Sequence, residues 1–181
     1  MANLENYFTK IDIIINKIIE RENKEIITFD LLDTKKTIKI KLEILKEKQK
    51  QMKIGEIWQE VIGNYQDFIN LKIGHKSGLD IISLNRKIII ELKNRTNTDN
   101  YSSRKSNFDK LAKFKKENPE YKCIYANINE KTEKATLEGN YKIIIHNDEE
   151  IHIYTGFKFL ELIFDKNLPL ILDYLRAKLN E

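Results

Sequence analysis

Asp80, Glu91 and Lys93 are the residues whose types and spacing could do chemistry together. They sit in two short apolar runs, Leu79 to Leu84 and Lys87 to Leu92, joined at Asn85-Arg86 and entered through the loop Gly74-His75-Lys76-Ser77-Gly78. This reads as a β-hairpin. A two-residue loop sets Leu84 opposite Lys87, and counting back along both strands sets Asp80 opposite Glu91. Opposed residues on an antiparallel pair hold their Cβ atoms about 4.5 to 5.5 Å apart, so two carboxylates can grip one cation. Strand alternation puts Lys93 on the same face as Glu91. Asn-Arg is not the favoured turn pair, and a bulge would shift this register. Facing carboxylates need a counter-charge, and hard oxygen ligands favour Mg²⁺, with Mn²⁺ as a substitute. Such a cation lowers the pKa of a bound water and offsets charge on phosphoryl oxygens. Lys93 would position or help deprotonate that water and stabilise the transition-state anion.

Asp80, ten intervening residues, then Glu91-Leu92-Lys93 resembles the Asp…Glu-X-Lys signature of the PD-(D/E)XK nucleases. The window from Gly55 to Pro119 is similar to small type II restriction endonucleases. The resemblance implies that Asp80 and Glu91 are metal ligands, that the backbone carbonyl of Leu92 is another, and that Lys93 is the catalytic lysine. It also implies a restriction-endonuclease-like fold and Mg²⁺-dependent hydrolysis of double-stranded DNA at a short palindromic or interrupted palindromic site. Leu79 stands where the family has proline. Glu56 or Glu60, on the preceding helix, would be the additional acid that many members carry, and the sequence does not choose between them.

Spacing alone is weak evidence, because a chain with 33% charged residues produces such triples by chance. The Gly-rich entry to Asp80, the apolar strand into Glu91 and the basic segment beyond it carry the argument. Two other readings stay open: a structure-selective resolvase or repair nuclease of the same fold, and a noncatalytic nucleic-acid-binding module. A homodimer follows from a palindromic target, since two-fold symmetry gives each strand one active site. A cognate DNA methyltransferase would be its genetic partner, protecting the host.

These residues need elements to hold them. Leu4, Phe8, Ile11, Ile15 and Ile18 recur at three and four, the period of an amphipathic helix through about Arg21. Between Ile26 and Lys53 the pattern is ambiguous: Ile38, Ile40, Leu42 and Ile44 alternate like a strand within Lys- and Glu-rich, helix-favouring sequence. From Ile54 a broad helical stripe runs through Ile57, Trp58, Val61, Ile62, Tyr65, Phe68 and Ile69, with Glu56, Glu60 and Asn64 on the other face. After a polar loop, a helix capped at Ser102 or Ser103 runs to about Glu117, its apolar side Phe108, Leu111, Ala112 and Phe114, ended by Asn118-Pro119. Lys122 to Ile128 reads as a strand, and Tyr141 to His146 with Glu150 to Tyr154 as a second hairpin through Asn147-Asp148. Phe157 to Phe164 and Leu168 to Leu179 read as helices broken at Pro169. This order implies an α/β (α+β mixed) fold with a central mixed sheet flanked by helices. The expectation is one domain over residues 1–181, with an N-terminal helical segment over about 1–53.

From Arg86 to Lys116 there are ten Lys or Arg against three acids, a local +7, so the rest of the chain carries −3 of the net +4. A phosphate-binding surface needs such an excess. Asn94, Arg95, Asn97, Ser102, Ser103, Arg104, Lys105, Asn107 and Lys110 are the leading candidates for DNA contact, since Arg and Lys suit guanine edges, Asn suits adenine, and Ser or Lys reaches phosphate. His75, Lys76 and Ser77 form a second group, though His75 could equally cap its loop. His146 and His152 are expected to pack or face solvent. The lone Cys123 offers neither a disulfide framework nor a zinc cluster and reads as a buried strand residue. No basic start with an unbroken apolar core opens the chain, and no apolar run reaches membrane-span length, so the expected location is the cytoplasm.

Overall fold

The computed structural model describes residues 2–21, 32–95, 100–129 and 139–180. Their contacts group into two compact units, Met1–Val61 and Ile62–Glu181. In the first, helix α1 (Ala2–Glu20) buries Ile11, Ile15 and Ile18 of the expected stripe and half-buries Leu4 and Phe8, while Tyr7, outside that stripe, is buried as well. Most of helix α2 (Lys35–Gly63) also belongs here. The ambiguous stretch is therefore helical from Lys35: half-buried positions recur at 38, 41, 45 and 49, while Ile40, Leu42 and Ile44 are exposed. The Tyr7 hydroxyl donates to the Val61 carbonyl at 2.7 Å, and Lys53 donates to the Ile19 carbonyl, tying α1 to α2.

The second unit is built on a six-stranded mixed sheet of order β1-β2-β3-β4-β6-β5. Its strands are β1 (Phe68–Asn70), β2 (Ile81–Ser83), β3 (Ile88–Arg95), β4 (Lys122–Asn129), β5 (Tyr141–His146) and β6 (Glu149–Thr155). β3, β4 and β6 run parallel, and the remaining pairs are antiparallel. Helix α3 (Tyr101–Glu117) packs on one face over Leu79, Ile89, Cys123, Tyr125 and Ile151. Helix α4 (Gly156–Phe164) packs against β4 and β6, burying Phe159, Leu160, Ile163 and Phe164. A 3₁₀ turn (Asp165–Asn167) leads to α5 (Leu168–Asn180). This is the expected mixed sheet with flanking helices.

Several local expectations change. The stripe that ran on to Ile69 breaks at Gly63, and Phe68–Asn70 becomes β1 instead. A Cβ on Gly63 would stand 2.5 Å from the Asn70 Cβ, so the chain can fold back only over a glycine. Glu60 is buried, not on an exposed face. The cap of α3 is Asn100, whose Oδ1 accepts from the Ser103 amide at 2.8 Å; Ser102 and Ser103 lie inside the helix. The tail breaks at Asp165–Asn167, and Pro169 sits in the first turn of α5, where its missing N–H costs nothing. Among the described residues no helix is long and apolar enough to cross a membrane.

Candidate active site

The β2–β3 hairpin positions the acids. Its pairing is Ile81↔Ile90, Ile82↔Ile89 and Ser83↔Ile88, the register expected from the sequence. The turn takes four residues, 84–87, in place of two. Adding one residue to each side of the loop leaves the register intact, and Lys87 takes up the bend at φ +52°. Ser83 anchors the turn from inside: its buried hydroxyl donates to Asp67 and accepts from the Arg86 amide at 3.0 Å. Arg86 returns to Asp67 at 3.0 Å and lies over the Phe68 ring, 4.8 Å from its centroid.

Beyond Ile81↔Ile90 the strands part around Asp80. Its amide donates to the Ile90 carbonyl at 3.0 Å, and its carboxylate accepts the Leu92 amide at 2.7 Å. Glu91 shares the sheet face of Ile89 and is only 3% exposed. Lys93 lies two residues on, on the same face, and donates to Glu91 Oε1 at 2.5 Å. The other carboxylate oxygen, Glu91 Oε2, is buried with no hydrogen-bond partner among the described residues. Burial pushes the Glu91 carboxyl above the ordinary range, the Asp80 charge adds to the rise, and Lys93 and Lys110 only partly oppose it. Burial raises Asp80 as well, against the Leu92 amide and the same two lysines. Asp80, Glu91 and Lys93 thus converge.

Lys110 reaches this site from α3. Its Cε lies 3.4 Å from where a Cβ on Gly78 would be, so the glycine lets the lysine stem run along the backbone beside Asp80. Asn107, buried on the same helix, holds the ammonium at 3.4 Å. Sequence reasoning placed both among DNA contacts and missed this placement. A polar residue and a lysine three apart on the inner side of a helix were the available signal.

The other expected residues scatter. His75 and Ser77 bond to each other at 2.8 Å, and the Ser77 hydroxyl accepts the Leu79 amide, so they shape the entry to Asp80. Lys76 is exposed, as are Ser102, Ser103, Arg104 and Lys105 on the first turns of α3. Asn94 accepts from Asn129 at 2.9 Å. The side chain of Arg95 and all of Asn97 lie outside the described residues. Glu56 forms a two-pronged pair with Arg21 at 3.1 and 2.6 Å inside the N-terminal unit. Among the described residues no cluster gathers three or more His, Cys, Asp or Glu.

His146 packs as expected, its ring against Phe108 and its Nε2 2.7 Å from Asp109. His152 is held by Tyr141 and Glu150. Cys123 is fully buried and its thiol is pushed up to about 12, so it is no nucleophile.

The chemical content of the site is a buried carboxylate, Glu91, with one oxygen unpartnered among the described residues, a half-buried carboxylate, Asp80, and two lysines beside them. Two acids and a spare oxygen suit a hard divalent cation better than an organic ligand. No curated protein matches the chain. The family model described as Eco47II restriction endonuclease matches residues 7–172 of the 181, and so covers both units and the whole hairpin. The chain belongs to the Eco47II restriction endonuclease family, which makes it a nuclease with DNA as its substrate.

Proposed function

We propose that this protein is a type II restriction endonuclease with a PD-(D/E)XK centre, hydrolysing double-stranded DNA at a short palindromic or interrupted palindromic site with Mg²⁺. The observation that carries the reading is Glu91 Oε2, a buried carboxylate oxygen beside Asp80 without a partner among the described residues. A charge buried in that state is costly unless a cation meets it. Asp80 and Glu91, with the Leu92 carbonyl, would hold the metal, and Mn²⁺ would substitute. When bound, the ion supplies an acidified water and charge stabilisation at the phosphoryl oxygens. Lys93 holds its ammonium at Glu91, where it can orient the attacking water and stabilise the developing anion. Lys110 adds a second positive charge from α3.

Ser102, Ser103, Arg104 and Lys105 are the exposed residues best suited to phosphate and base contact, with Lys76 on the entry loop. Cutting both strands of a palindrome calls for a homodimer and, in the host, a protecting methyltransferase. The test is plasmid DNA with Mg²⁺. Fixed bands that vanish in Asp80→Ala and Lys93→Ala are expected, and undiminished cutting by both variants would sink the assignment. Smeared or junction-specific products would move the reading to a structure-selective nuclease.

A further inference from the structure

The sheet face that carries Glu91 and Lys93 continues across two more strands. Parallel pairing sets Lys93 beside Asn127 on β4, and Asn127 beside Thr155 on β6. Above this row a cavity of about 270 Å³ opens between α3 and β4–β6. Phe108 and Tyr125 form its aromatic wall, edge to face with centroids 5.0 Å apart, and Ile153 adds an apolar surface. Arg104 and Lys142, both exposed, stand at the rim. Thr155 is fixed in place: its amide donates to the Asn140 carbonyl at 2.9 Å, and its hydroxyl accepts the Asn140 amide at 2.8 Å.

Asn127 is the unusual member. It lines the cavity, is only 4% exposed, and its Oδ1 has no hydrogen-bond partner among the described residues. Buried polar atoms are nearly always satisfied, so an orphaned amide oxygen on a residue that lines a cavity calls for a donor from a ligand.

We infer that this cavity receives one nucleobase turned out of the bound DNA duplex, an inference that rests on the nuclease reading above. A base brings each group the cavity lacks. Its flat face covers aromatic and apolar walls, an amino group on its pairing edge donates to Asn127 Oδ1, and its flanking phosphates lie within the field of the rim cations. A free phosphate would leave the aromatic wall and the buried amide unused, and an apolar side chain would leave both the amide and the cations unused. Because Asn127 neighbours Lys93, the base concerned belongs to the stretch of DNA held at the cleavage centre.

The experiment measures binding in EDTA, where metal-dependent hydrolysis is off, to three duplexes of one sequence. One is fully paired, one carries a single unpaired adenine, and one carries an abasic residue at the same bulge. The wild-type protein is expected to bind the adenine bulge about tenfold more tightly than the abasic bulge, the scale of one stacked base. Asn127→Leu should bring the two to equality. Arg104→Ala, on an exposed turn where the fold is not at risk, should weaken binding to both bulges alike and leave their ratio unchanged, because both carry the same phosphates. Equal binding of the two bulges by the wild type overturns the inference, as does a ratio unchanged in Asn127→Leu. Plasmid cleavage with Mg²⁺, run on the same preparations, separates the two readings. An adenine preference without cleavage removes the catalytic assignment alone, and cleavage without the preference removes the base pocket alone.

Discussion

At the residue scale the governing fact is that a buried carboxylate, Glu91, stands beside a half-buried one, Asp80, at a cost. Both Asp80 and Glu91 have carboxyls raised by burial, so the folded chain binds their protons more tightly than the unfolded chain does. The stability this gives is present at low pH and is lost as pH rises through the raised values. In EDTA at neutral pH, Glu91→Gln and Asp80→Asn should therefore melt a few degrees higher than the wild type, and the gain should shrink to nothing below the ordinary carboxylate range. Adding Mg²⁺ should raise the wild-type melting temperature and leave Glu91→Gln unmoved, because the proposed metal site needs both carboxylates and would bind the ion to the native state alone. Thermal denaturation over a pH series checks both signs. Lys93→Ala should lower the rate of cleavage by about 10²- to 10⁴-fold, the range for a positioned acid–base group, in single-turnover assays.

At the scale of elements, the hairpin shows how far sequence pattern reaches. The register that brings Asp80 to Glu91 was legible because alternation and chain reversal leave few choices. The turn itself was misjudged, but by one residue on each side, which preserves the pairing; a change of one residue in total would have turned every side chain over. Lys87 holds a left-handed conformation in this turn. Lys87→Gly should consequently stabilise the protein by about 1 kcal/mol, read from urea unfolding. β1 was not legible, because Tyr65, Phe68 and Ile69 continue the helical period of α2 and only the close approach of Asn70 to Gly63 ends it. Gly63→Ala should cost about 1 to 3 kcal/mol through overpacking in the same assay. The cap of α3 was misplaced by two or three residues, since Asn100, Ser102 and Ser103 are all good N-caps and only backbone geometry separates them.

At the scale of the whole molecule, charge and the proposed two-fold symmetry set the behaviour. The mixed sheet with flanking helices followed from the order of elements. Lys110 beside the acids and Asn127 beside Lys93 did not, because they come from a helix and a parallel strand whose placement no local pattern records. The local +7 between Arg86 and Lys116 should make DNA binding fall steeply with salt, whereas the base preference, being a ratio between two duplexes of equal charge, should barely move. Light scattering should give twice the 21.5 kDa chain mass for the active species.

The hairpin also fixes an order of assembly. Asp80 meets Glu91 across a loop of a few residues, whereas Asn127 reaches Lys93 only through the α3 crossover, and Thr155 only after a second long excursion. Contacts close in sequence form first in a folding chain, and parallel pairings come later. A chain caught part-way would hold its proposed cutting residues before it owned the cavity proposed to read a base. Pulse-labelled hydrogen exchange should then find the amides of Asp80 and Leu92 protected before that of Asn127. On these two proposals cleavage competence would precede discrimination in the life of each molecule, and the late strands, more than the β2–β3 hairpin, would be what keeps a newly made nuclease safe.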